Sequence, residues 1–524
     1  MLSVMATQTA PSRPLSDAVI AKITSLVTSD GGSTVINAPY TGEPLATLPL
    51  SSAKDVESAS AKAKAAQRAW AALSPAERAK PVLRFVDAFL ARRDEILDIL
   101  QWETGKARRH AFEEFLDVAL GSLHYARKAP KLLAPQRRQG AFPVLVKTRE
   151  LRQPKGVVGM ITPWNYPISM GVGDTVPALL AGNAVVHKPD TQTALSVLWC
   201  VNLLIESGLP KDLWQIVLGD PADIGDPLIG TADYVSFTGS TRAGRVIAEK
   251  AAPRLIGYSL ELGGKNPMIV LEDADLGRAA RGAVRACFSN AGQLCISIER
   301  LLVHEKVYDA FLAAFKAETE RMALGSALDF EAQMGSLTYP RQLDVVTAHV
   351  DQAVEAGATV VAGGKARPDL GPLFYEPTIL TGVTTDMDLC AGETFGPVVS
   401  VYRFGTEEEA IARANDTSYG LNASVWTRDT ARGARIAARL QAGTVNINEG
   451  YASAMASHDS PMGGMKQSGI GRRHGAEGLL RFTEAQTVAT QRFMDMDAPP
   501  NMTYAAYADL LTGAIKTLKS LRLK

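Results

Sequence analysis

A doubly wound α/β architecture, present twice, is what this sequence predicts, and three observations predict it. Beyond Pro154, short apolar runs alternate with helical stretches. A second alternation begins at Pro267-Met268-Ile269-Val270, and the connections in both are marked by Gly, Pro, Asn, Asp and Thr. In such units ligands bind beyond the carboxyl ends of the strands. The chain has 524 residues, 46% hydrophobic and 21% charged, which is enough for several domains and far from a disordered composition.

Taken in order, the first residues through Pro14 lack the apolar core of a secretory signal. With Arg13 as their one basic residue and no amphipathic pattern, they read as a flexible arm. Ser52 with Asp55, and Ser74 with Glu77, match helix N-caps with an acid three residues on. They predict two helices between Ser52 and Trp102, the second carrying Val82, Val86, Phe89, Arg93 and Ile96 on a core-facing stripe. In the first α/β unit the expected strands are 157–161, 184–187, 214–217 and 234–237, with helices around 176–180, 195–206 and 243–250. In the second they are 267–270, 301–303, 399–402, 423–426 and 444–447. The basic stretch 137–152 and the strand-like 486–492 predict a small extra sheet, and because two-stranded ribbons are marginal alone, its edges point to a homodimer or homotetramer. In the tail 504–524, Tyr507, Leu511, Ile515 and Leu518 share one helical side, which predicts packing on the protein.

Composition excludes several functions. Lys plus Arg is 55 and Asp plus Glu is 55, so no net field favours nucleic acid or an acidic membrane. Four cysteines, at 200, 287, 295 and 390, give neither a disulfide framework nor paired zinc spacings, so no metal is expected and a reducing cytoplasm fits. No run approaches the ~18 apolar residues of a spanning helix.

The motifs are individually ambiguous. Phe237-Thr238-Gly239-Ser240-Thr241 sits between a strand and a helix, so Ser240 suits either a diphosphate at the helix N-terminus or a plain cap; the Lys-Ser/Thr of a P-loop is missing. Cys295 ends Phe288-Ser-Asn-Ala-Gly-Gln-Leu-Cys295, where small residues let backbone amides approach a substrate oxygen; it reads as a nucleophile or an inert buried thiol, the reading that suits Cys287 and Cys390. Glu261 opens Glu-Leu-Gly-Gly-Lys265 as a strand-end general base or a salt-bridged acid. Asn165, in Pro163-Trp-Asn-Tyr-Pro167, offers an oxyanion donor or a turn residue.

Together the blocks PWNYP (163–167), KPDTQT (188–193), FTGST (237–241), ELGGKNP (261–267), FSNAGQLC (288–295), ETFGP (393–397) and GGMKQSGIGR (463–472) resemble the aldehyde dehydrogenase superfamily over about residues 35–495. NAGQLCISIER, GGKARPDLGPLFYEP and PMGGMKQSGIGRRHG are most similar to a bacterial branch of NADP-dependent succinate-semialdehyde dehydrogenases.

The resemblance implies a cofactor-binding domain (1–136 and 153–262), a catalytic domain (263–468) and oligomerisation strands (137–152 and 486–496); the amphipathic C-terminal tail (497–524) follows them. It implies Cys295 as nucleophile through a thiohemiacetal and a thioester, Asn165 and the Cys295 amide as oxyanion donors, and Glu261 as base. Ile161, Trp164, Asn165, Lys188, Pro189, Asp190, Thr191, Ser240, Thr241, Leu262, Glu393 and Phe395 are the implied cofactor contacts. Many NAD-preferring relatives carry glutamate at the Thr191 position, so NADP is expected, with NAD possible and Asp190 partly offsetting.

Arginines that hold the distal carboxylate in familiar succinate-semialdehyde dehydrogenases are missing here: Ser289 stands at one position, and Gly171, Gly173 and Asp174 surround the other. Arg300, Arg472, Arg473, His458 and Ser457 are the substitutes on offer. Arg473 itself falls where many relatives carry an acid. The rival to oxidation of succinate semialdehyde is therefore a broad aldehyde dehydrogenase for aliphatic or aromatic aldehydes. A CoA-acylating enzyme fits less well because Glu261 is present, and a non-enzymatic binding protein less well still.

Overall fold

The computed structural model describes residues 15–140, 146–492 and 497–522. The expected N-terminal arm lies outside them, as do 141–145 and 493–496 of the expected oligomerisation strands and the last two residues of the tail.

The described residues form two compact units. The larger, reaching to Leu132 and resuming at Pro154–Thr483, holds two open sheets. One has six strands in the order Gly469–Ile470, Gly257–Glu261, Tyr234–Thr238, Val157–Thr162, Ala184–Pro189, Trp214–Ile216, parallel except for the first. The chain starts this sheet at Val157–Thr162 and builds outward on both sides, so the direction of winding reverses between Val157–Thr162 and Tyr234–Thr238. A crevice for a ligand opens at the carboxyl ends of those two strands. The other sheet has seven strands in the order Thr359–Ala362, Thr378–Thr381, Val398–Phe404, Ile298–His304, Asn266–Val270, Asn422–Trp426, Thr444–Ile447. Every residue of Asn266–Val270 and Ile298–His304 is buried, because helices cover both faces, which is why these strands read as unbroken apolar runs rather than alternations.

Three helices, not two, fill the span from Ala53: Ala53–Ala72, Pro75–Ala91 and Arg93–Thr104. Both predicted capping boxes are present, at Ser52 with Asp55 and Ser74 with Glu77. The second break is at Arg92 (φ −110°, ψ 30°), whose guanidinium pairs with Glu95 in the next helix, so Arg93 and Ile96 belong to a separate element. No Gly or Pro marks that break. A further helix, Arg108–Leu132, has no counterpart in the sequence reading; it supplies part of the site.

In the smaller unit, strand Gln136–Arg138 pairs antiparallel with Val146–Pro154, and Thr483–Gln491 is the third strand, beside Val146–Pro154. After Thr483, every residue of Thr483–Gln491 is exposed. The tail forms a helix, Tyr504–Ser520, capped by the Thr503 side chain. Its expected packing holds only in part: Tyr507 is buried, but Ile515 remains 60% exposed, and Leu510, on another side of the helix, is 58% exposed. Apolar residues on more than one side cannot all face one support. No helix among the described residues is long and apolar enough to cross a membrane.

Candidate active site

The turn after Val157–Thr162 carries Asn165 and then enters helix Pro167–Leu180, whose first N–H groups have no partner within the helix and no cap from Tyr166. Glu114 supplies one: Oε1 accepts from the N–H of Ile168 (2.7 Å) and of Ser169 (3.1 Å). Lys106 Nζ donates to Glu114 Oε2 and to the Asn165 carbonyl, both at 2.7 Å, and sits 4.1 Å from the Tyr166 ring centre. The side chains of Lys106 and Glu114 are both 0% exposed. Removing one member of such a pair leaves a buried charge uncompensated. Glu114→Gln should therefore lower unfolding free energy by about 3–5 kcal/mol, read by denaturant melts, and a change below about 1 kcal/mol would refute this account of the turn.

Cys295 is placed by a strained loop. Asn290 (φ 51°), Ala291 (φ 54°) and Gly292 (φ 71°) are left-handed in succession, a conformation that is costly for the first two and that persists only when its surroundings impose it. Here the Asn290 N–H donates to His110 Nδ1 (3.1 Å), its amide donates to the carbonyls of Asn165 and Gln293 (both 3.1 Å), and Gln293 Oε1 accepts from the Thr338 N–H (3.0 Å). A side chain at Gly292 would strike the Gly396 carbonyl, so glycine is what lets the 393–397 loop approach. Asn165 Nδ2 spends one hydrogen on the Gln293 carbonyl at 3.0 Å, which leaves the second for another acceptor.

Glu261 ends its strand opposite Thr238, with Oε1 buried and without a hydrogen-bond partner. Burial pushes its carboxyl up to about 8, with Arg473 and Arg481 pulling it back down. Burial also pushes the Cys295 thiol up to about 12; Glu393 and Glu261 add to the rise, and Arg473 opposes it. Arg473 is held by Asp174 (Nε to Oδ1, 3.0 Å), which Arg481 shares at 2.9 Å. The Glu393 loop hangs on Glu299: this acid pairs with Lys265 (2.5 Å) and accepts from the N–H of Thr394 (3.0 Å) and of Phe395 (2.9 Å). Glu393 accepts from the Gly264 N–H at 2.8 Å, and burial pushes its carboxyl up to about 8.

One cavity of about 260 Å³ is lined by Cys295, Glu261, Asn165, Trp164, Ser240, Leu262, Glu393 and Phe395 together. Ile161, Lys188, Pro189, Asp190, Thr191 and Thr241 are not in its lining; they lie at the carboxyl ends of Val157–Thr162 and Ala184–Pro189 and at the first turn of Thr241–Ala251. Ser240 caps that helix, its side chain accepting from the Ala243 N–H. The Lys188 ammonium, 4% exposed, donates to the Pro189 carbonyl next door, which leaves hydrogens for another acceptor. The Asp190 carboxylate is engaged by the Gln192 N–H and the Tyr339 hydroxyl.

Of the substitutes for a carboxylate-binding arginine, Arg300 points elsewhere: it donates to the carbonyls of Lys265, Arg413 and Ala414. Arg472 Nη1 is spent on the Gly464 and Gly471 carbonyls. Ser289 accepts from the Tyr451 hydroxyl at 2.8 Å. Arg473 alone of the three arginines lines the cavity, accompanied by Glu113, Asp117 and His474. Lys106, His110, Glu113, Glu114 and Asp117 were not singled out from the sequence. Apart from Lys106, all lie on the unanticipated helix Arg108–Leu132, where carboxylates interleaved with Phe112, Phe115 and Val118 were the available signal.

Residues 26–488 match the aldehyde dehydrogenase family. The chain belongs to that family. A Mycolicibacterium smegmatis protein carrying the name "Putative succinate-semialdehyde dehydrogenase" with NADP(+) is 53% identical over 482 residues, 92% of this chain and 93% of that protein. Among solved structures, an NAD-dependent aldehyde dehydrogenase from Sinorhizobium meliloti superposes with a TM-score of 0.86 at 34% identity, covering 91% of this chain and 94% of the other. Betaine aldehyde dehydrogenase from Staphylococcus aureus, in complex with NAD+, gives 0.84 at 32% identity, covering 88% and 92%. This aldehyde dehydrogenase family chain is thus an oxidoreductase, and the two-sheet α/β fold is the fold of the family.

Proposed function

We propose that this aldehyde dehydrogenase family member oxidises succinate semialdehyde to succinate with NADP. The observation that carries the chemistry is the single cavity shared by Cys295, Glu261 and Asn165; the names of relatives at about half identity support the substrate and cofactor.

In this reading the Cys295 sulfur adds to the aldehyde carbon as its proton passes to Glu261. The oxyanion of the thiohemiacetal is held by the free hydrogen of Asn165 Nδ2 and by the Cys295 N–H. A bound nicotinamide dinucleotide supplies the hydride acceptor. Glu261 then passes the thiol proton to solvent and takes one from the water that opens the thioester on Cys295; the acid leaves and the Cys295 sulfur, released as the leaving group, regains a proton. The residues present fit a dinucleotide: Ser240 and Thr241 at a helix N-terminus would receive its phosphates, Lys188 has unspent donors for its ribose, and Trp164, Leu262, Glu393 and Phe395, which line the cavity, would border the nicotinamide, with Ile161 and Pro189 at the neighbouring strand ends. A neutral Thr191 leaves room for a 2′-phosphate. Thr191→Glu should cut the NADP to NAD ratio of kcat/KM by about tenfold or more, since each tenfold is worth about 1.4 kcal/mol; a raised ratio would reverse this reading of the pocket.

By extension, residues 1–136 and 153–262 bind the cofactor, 263–468 carry the nucleophile, and 137–152 with 486–496 join subunits of a cytoplasmic homodimer or homotetramer. The exposed third strand of the small sheet supports that assembly.

One observation favours a broader aldehyde dehydrogenase. The cavity wall combines Tyr166, Met170, Leu294, Ile296 and Met462 with the acids Glu113 and Asp117, and its one arginine, Arg473, already has Asp174. Rates at 340 nm for succinate semialdehyde and for an uncharged aldehyde of equal length, with NAD and NADP in parallel, decide between the two. Equal kcat/KM for both aldehydes favours the broad enzyme.

A further inference from the structure

We propose that Asp117, His458 and His474 form a binding site for a divalent cation of the zinc class, opening into the same cavity as Cys295. Spacing along the chain gave no sign of it, because the three residues come from separate elements: Asp117 from helix Arg108–Leu132, His458 from the loop after Ala452–Met455, and His474 from the turn before Gly475–Leu480.

Each residue offers one ligand atom, and the three atoms lie within 4.8 Å of one another. His458 Nε2 and Asp117 Oδ1 are 3.1 Å apart. That contact is a hydrogen bond whose proton a cation would displace, and donors around a tetrahedral zinc, bound at about 2.0–2.1 Å, stand roughly 3.3 Å from each other, so this pair already has the spacing a cation needs. The His458 and His474 rings are 4.6 Å apart between centres.

A second observation is independent of this spacing. His474 is 7% exposed, and its buried Nδ1 has no hydrogen-bond partner. A buried ring nitrogen left unpaired in a native fold calls for a ligand. The backbone also commits the ring to its place: His474 adopts φ 57°, a conformation unusual for a residue with a side chain. Gly121 keeps space for the neighbouring ring, since a methyl group there would come within 3.0 Å of His458 Cδ2.

Two imidazoles and one carboxylate are the donor set that zinc, cobalt and ferrous iron take, leaving a position open. Asp117 and His474 also line the cavity of Cys295, so a cation held by them would stand at the edge of the space where an aldehyde would sit. Arg473 is the nearby charge that opposes a cation, and Asp174 pairs with it. His124 and Lys128 face Asp459, and the His124 ring lies 6.4 Å from that of His458.

Cobalt tests the site on the full chain, stripped with a chelator and then titrated with Co2+ and, in competition, Zn2+. The wild type and Cys295→Ser should each bind one Co2+ per chain, with visible absorption of a low-coordinate cobalt and no thiolate-to-metal band in the near ultraviolet. His474→Gln and Asp117→Asn should each weaken binding at least tenfold. Absence of saturable binding below millimolar Co2+ in the wild type would overturn the proposal, as would binding that both variants keep, or binding lost in Cys295→Ser. Should a cavity variant fail to fold, the wild-type and Cys295→Ser spectra still decide.

Discussion

Glu261→Gln should give a chain that makes about one equivalent of reduced nicotinamide and then stalls. A general base in such a step contributes about 10²–10⁴-fold, so steady-state kcat should fall by that factor while the first turnover survives. The burst survives but slows, because the thiol must then lose its proton to solvent instead of to Glu261, whereas the thioester waits at every turnover for a water that Glu261, on the proposed mechanism, activates. Stopped-flow absorbance at 340 nm reads both phases. A variant with an undiminished linear rate would remove Glu261 from the deacylation step. The same carboxyl sets the pH dependence. It is buried, its Oε1 has no partner, and its pKa is raised to about 8. Only the ionised form accepts a proton, so a deacylation-limited kcat should climb from pH 6, reach half its plateau at about 8 and level off toward pH 9. Arg473 is the largest charge that holds this pKa down. Arg473→Gln should therefore move the rise to higher pH, and an acid shift would contradict that sign.

Much of this site was legible because its chemistry sits in short contiguous blocks. Pro163 to Pro167, Glu261 to Lys265 and Phe288 to Cys295 each follow a strand or a helix end, and the topology that makes strand ends converge needed only the alternation of apolar runs and helices. What was not legible is the support. Lys106 and Glu114 form a buried pair that fixes the Asn165 turn, yet they stand eight residues apart and 59 and 51 residues before Asn165, and in sequence each looks like a solvated surface charge. Glu299 likewise pairs with Lys265, 34 residues before it, and accepts from the Thr394 amide, 95 residues after it, a relation that only packing creates. The helix Arg108–Leu132 escaped for a related reason. Its buried face carries His110, Glu114, Ser122 and Tyr125 among its apolar residues, so the 3.6-residue period that betrays an amphipathic helix is blurred where the site needs polar groups. The break at Arg92 lacked a Gly or Pro, so two helices read as one.

Cys295→Ala should lower kcat by a factor on the order of 10⁶, the scale seen when a covalent nucleophile is deleted, and should abolish the burst as well as the steady rate. Loss of both phases separates it from Glu261→Gln. The unliganded thiol is not a ready thiolate. With burial pushing its pKa up to about 12, the thiol is almost wholly protonated at pH 7. On the proposed mechanism, attack on the aldehyde is therefore fastest when the proton is transferred as the carbon is engaged, to Glu261 in the same cavity. Alkylation by iodoacetamide offers an independent reading of the same sulfur. It should be slow at pH 7 and rise about tenfold per pH unit through pH 9 without a plateau, because the thiolate fraction grows by that factor below its pKa. Cys200 and Cys287 are buried, so modification of the folded chain should fall on Cys295, with Cys390 the other partly exposed thiol, and peptide mapping distinguishes them. A plateau near pH 7 would mean that the thiol ionises at rest, and the proton transfer to Glu261 would then have no part in the first step.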